Sequence, residues 1–212
     1  MAGHAADTVI VNARKAYRVI ALCLLNDSYS DSVTKVVEGY VRHSFPGHWA
    51  TTDKAAETLP ASHSQFLLNE PSMFSDGSFP IGYFCEKPEG ALDEFGERII
   101  DLIILGAGNG VASMEVAIIE VEVSGRFIDI SGDKEKDHLD PMEDWQDFGK
   151  LARSDKDIDG VMFSGSVYEE DDPIWYAAFA VDAIILSDEP NAIYQLKWDQ
   201  GEFLGYTETT SL

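Results

Sequence analysis

The stretch LIILGAGNGVASMEVAIIEVEV, residues 102–123, poses the choice between two kinds of fold. Its glycines, Gly106-Ala-Gly108-Asn-Gly110, follow an apolar run, as in the turn by which a nucleotide-binding βαβ unit cradles phosphate. A dinucleotide fingerprint needs G-x-G-x-x-G between a strand and a helix, because the helix N-terminus holds the pyrophosphate. Here the third glycine comes one residue early, and no Walker lysine follows. Beyond it, Met114, Val116, Ile118, Val121 and Val123 are interleaved with Glu115, Glu120 and Glu122 at mostly strand spacing. No helix dipole would face a phosphate. The glycines are therefore read as a turn or hairpin, and the segment after them as a strand.

Strand and helix signals continue on both sides. Upstream, IGYFC reads as a short strand, and KPEGALDEFGERIIDLI as a helix with Pro88 early and Ala91, Leu92, Phe95 and Ile99 on one face. Downstream, RFIDI reads as another short strand, and a helix is expected from about Pro141 to Arg153. GVMFSGS, IWYAAFAV, AIILS and AIYQLKW read as strands, and GEFLGYTETTSL as a fraying or edge-pairing tail. In RKAYRVIALCLL, residues 14–25, the period does not separate strand from helix. Val33, Val36, Val37, Tyr40 and Val41 share a helix face, stopped by Pro46-Gly47. Residues 47–82 are rich in Ser, Pro, Asp and Gly and read as loops. The expected fold is α+β, with a split, mostly antiparallel sheet and flanking helices. Residues 1–45 are expected to be an N-terminal helical extension or the first part of the domain, and residues 46–212 the main domain.

Composition narrows the function classes. The chain has 212 residues, 45% of them apolar, enough to bury a core. It carries 38 acidic and 15 basic residues, a formal net charge of −23, which disfavours nonspecific nucleic-acid binding. No apolar run is long enough for a membrane span, and no signal pattern opens the sequence, so a cytoplasmic protein is expected. Cys23 and Cys85 sit in apolar runs and read as buried thiols. His4, His43, His48, His63 and His138 are scattered without ligand spacing, and Glu169-Glu170-Asp171-Asp172 lacks the alternation of a calcium loop, so no metal is expected. Ser164-Gly165-Ser166 is not a nucleophile elbow, because glycine does not follow Ser166 at the required spacing, and no histidine lies downstream.

A pattern of separated single residues is more productive. Tyr83 ends a strand, Glu94 lies in the next helix, Asp144-Trp145 opens a later helix, and Gly160-Val-Met-Phe leads to Ser164 and Ser166. In this order the sequence resembles the RES domain family, named for its arginine, glutamate and serine. FPIGYFCEKPEGALDEFG, VEVSGRFIDI and DWQDFGKLARSDKDIDGVMFSGSV carry the resemblance, which spans about half the chain. It implies an ADP-ribosyltransferase-like fold and an NAD-degrading toxin paired with an antitoxin. Tyr17-Arg18 matches the family's early tyrosine-arginine pair, and Arg42 lies nearer the usual interval from the glutamate. The family's glycine-arginine element before the tyrosine strand has no arginine here, so the choice of arginine stays open.

The resemblance implies Glu94, Ser166 and Arg42 as catalytic residues, and Arg18, Tyr83 and Ser164 as residues binding NAD, the substrate. Cleaving the nicotinamide–ribose bond builds positive charge on the ribose. A nearby carboxylate can stabilise that charge, and an arginine fork suits pyrophosphate. Water, phosphate or a protein side chain would accept the ADP-ribose. At −23, such a protein needs a local basic patch for its anionic substrate. The competing reading is a non-enzymatic acidic binding protein, such as an immunity or antitoxin partner of a basic protein. A homo-oligomer is left open in either case.

Overall fold

The structure, a computed structural model, describes residues 7–25, 67, 69, 71–100, 103–104, 111–132, 142–164, 172–186 and 192–211. It is α+β, and its strands pair mostly antiparallel. The chain divides into two compact units. One takes the described parts of residues 7–16, 67–87 and 121–186, the other those of 17–25, 88–120 and 192–211.

Strands β1 (Asp7–Leu25) and β5 (Ala112–Asp129) each begin in one unit and end in the other. Residues 7–25 form a strand, one of the two states that the period of residues 14–25 left open; the helix expected around residues 33–41 lies outside the described residues. Strand pairing outweighed the undecided period of this segment: Ala13 N–H donates to Ser124 Oγ at 2.9 Å, and Tyr17 Oη to Glu120 Oε2 at 3.3 Å.

In the first unit, a two-residue hairpin, β2 (Pro71–Ser72) and β3 (Ser75–Asp76), leads to β4 (Gly82–Cys85). β4 pairs with β7 (Ile174–Ala178), Tyr83 opposite Ala177, and β7 pairs on its other edge with β6 (Gly160–Ser164). β6 runs parallel to the end of β5, and β8 (Ile184–Leu186) pairs antiparallel with Val121–Val123. RFIDI is not a separate strand; β5 runs straight into it. The SG dipeptide, a turn signal in sequence, is absorbed because Gly125 adopts a φ of +138°. The Asp159 carboxylate accepts from Arg126 N–H at 2.8 Å and holds the strand there.

A helix of this unit, Met142–Ser154, covers the hairpin and will be called α2, after the earlier helix Pro88–Arg98, α1. Phe74, fully buried, is the centre of the packing. Trp145 and Phe163 meet it edge-on, with ring centroids 5.5 and 5.1 Å away. Ile81, Ile158, Val161, Ala177 and Phe179 complete this core. Gln146 Nε2 donates to the Ser72 carbonyl at 3.0 Å, and Lys150 pairs with Asp76 at 3.0 Å, tying α2 to the hairpin.

In the second unit, the first half of β5 pairs with β9 (Ala192–Asp199), and β9 with β10 (Glu202–Ser211). Gln200 and Gly201 both take positive φ (51° and 79°), the two-residue hairpin geometry that matches strand twist. The C-terminal tail is thus a paired strand. α1 packs its buried face, Ala91, Leu92, Phe95 and Gly96, in this unit. Trp198, fully buried, donates its indole N–H to the Gly96 carbonyl at 2.9 Å, and the Phe203 ring takes the space a side chain at position 96 would need.

Candidate functional site

Arg18 and Glu94 fall in the same unit, and each shifts the protonation of the other. Arg18 lies on β1 in step with Ala16 and Ile20, so strand alternation turns it inward, where it is 4% exposed. Loss of hydration pulls its guanidinium down to about 10, Glu94 pulls it back up, and Arg98 pushes it down again. It therefore remains a cation at neutral pH.

Glu94 sits in the second half of α1, at the margin of the buried face made by Leu92 and Phe95. Arg98, one turn later, places Nη1 3.2 Å from Glu94 Oε1, with the two side chains 51% and 45% exposed. The protein packed around the carboxyl raises it above the ordinary carboxylate range; Arg98 and then Arg18 oppose this, and Glu97 adds to it. Close to half of the side chain still meets solvent, and screening there limits what either guanidinium contributes to stability. The arrangement is a carboxylate reachable from solvent under the influence of two guanidinium groups, one buried and one exposed.

Tyr83 and Ser164 belong to the first unit. The Tyr83 hydroxyl donates to Ser72 Oγ at 2.9 Å and accepts from Phe74 N–H at 3.1 Å, while its ring packs beside Phe74 and Phe163. Ser164 Oγ donates to the Ser131 carbonyl at 3.1 Å, next to a turn in which the Asp129 carboxylate accepts from Ser131 N–H and Oγ. Both hydroxyls thus have structural work. Ser166 and Arg42 lie outside the described residues, as do the glycine turn of residues 106–110 and all five histidines.

Arg98 was missed in the sequence. Its signal was present: it follows Glu94 by four residues on an expected helix, the spacing at which opposite charges meet. Among the described residues, no group of three or more His, Cys, Asp or Glu side chains is arranged to hold a metal ion, and no helix is long and apolar enough to cross a membrane. Cys85 is a buried free thiol.

No family model matches the sequence, and no curated protein matches it. A search of solved structures finds a similarity to the crystal structure of the M. tuberculosis MbcT-MbcA toxin-antitoxin complex. The match covers 91% of this chain and 86% of that chain, at 10% identity and a TM-score of 0.47.

Proposed function

We propose that this chain is an NAD-consuming enzyme of ADP-ribosyltransferase-like fold that cleaves the nicotinamide–ribose bond, acting as a toxin held in check by a partner protein. The observation that carries the reading is that Arg18 and Glu94 share one unit and act on each other's charge. Far apart in sequence, the arginine and the glutamate expected from the RES resemblance lie in one unit and within each other's electrostatic reach.

The chemistry asked of them is limited. As the C1′–N bond breaks, its electron pair leaves with nicotinamide, and the ribosyl group becomes oxocarbenium-like until an acceptor oxygen adds. The Glu94 carboxylate stabilises the positive ribose when it is ionised, and Arg18 and Arg98 favour the ionised form against the desolvation that opposes it. Arg18, which stays charged while buried, acts on the carboxylate as a fixed cation. Ser166 and Arg42 keep the catalytic roles that the resemblance gives them. With water as acceptor the products are nicotinamide, ADP-ribose and a proton; phosphate or a protein side chain would give the corresponding ADP-ribosyl adduct.

The test is nicotinamide release from NAD by the purified chain, beside Glu94→Gln, Ser166→Ala and Arg42→Gln. Release that is lost in Glu94→Gln supports the proposal. No release by the unsubstituted chain, with or without added phosphate, leaves the acidic binding protein as the better reading.

A further inference from the structure

We draw no further inference here: the strongest candidate, the acidic face of α1 formed by Glu89 and Asp93 within electrostatic reach of the edge-on ring pair Tyr194 and Tyr206 on β9 and β10, is a cluster of acidic residues with nothing in the structure that points to a ligand.

Discussion

Replacing Gly149 with alanine sets helix propensity against packing, and the structure decides which wins. Gly149 is in the middle of α2, facing the hairpin. A Cβ there would fall inside the van der Waals shell of the Phe74 carbonyl oxygen, 2.7 Å from its carbonyl carbon and 3.0 Å from its Cα. The obstacles are main-chain atoms of a residue at the centre of the core, so no rotamer change relieves them. To bring the carbonyl carbon contact alone to the ordinary 3.4 Å, α2 must retreat by about 0.7 Å. Overpacking costs about 1–3 kcal/mol, and a main-chain clash belongs at the upper end. The retreat also loosens the edge-on packing of Trp145 on Phe74, worth about 1 kcal/mol. Alanine in place of glycine returns about 1 kcal/mol of helix propensity. The net is a loss of about 3 kcal/mol, or a fall in Tm of about 6–12 °C for a chain of this size. Urea unfolding followed by tryptophan fluorescence measures it, with Gly132→Ala as control: that position is open, and its change is expected within about 0.5 kcal/mol. A Gly149→Ala variant at least as stable as the parent, the result propensity alone predicts, would refute the close docking of α2 on Phe74.

Three further predictions follow from individual contacts. Tyr83→Phe removes the hydroxyl shared by Ser72 Oγ and Phe74 N–H and is expected to cost about 1 kcal/mol in urea unfolding; no loss would mean that these bonds are not made in solution. Asp76 is held down at about 2, chiefly by hydrogen bonding from Ser78 and then from Lys150, so its charged form is favoured by folding. Its stabilising effect is therefore complete above the ordinary value of 3.8 and fades as pH falls through about 2. The Tm difference between the parent and Asp76→Asn should close over that window, and a difference constant from neutrality to pH 2 would contradict the assignment. Arg18→Met removes one of the two downward influences on Glu94, so the carboxyl should titrate at higher pH than in the parent; carbon-detected NMR reads it, and an unchanged or lower midpoint would exclude the coupling.

Much of the first unit and of the second unit's sheet was legible because local pattern and tertiary pairing agree there. The apolar-acidic alternation after Gly110 becomes the buried-exposed alternation of β5, with Val121 and Val123 buried and Glu122 exposed. Pro88 and the Leu92–Phe95 spacing gave α1 its place. Two features were not legible. The continuity of β5 through Ser124-Gly125 depends on the Asp159 carboxylate, which comes from 34 residues beyond Gly125 in the chain and which no local reading of SG as a turn anticipates. The inward turn of Arg18 depends on residues 7–25 being a strand, in a segment where apolar residues are too dense for either period to dominate. Of the candidate site, the sequence marked Glu94 and Arg18 through a resemblance. It did not show that one arginine is buried and another, Arg98, faces solvent beside the same carboxylate.

The most direct test of the central claim is the rate of nicotinamide release from NAD by the intact chain and by Glu94→Gln at equal concentration and matched thermal stability. A carboxylate that stabilises the developing positive ribose is worth about 10²–10³ in rate, so the account predicts release by the parent and a fall of that order in the variant. Equal release by both proteins would take Glu94 out of the chemistry and contradict the account.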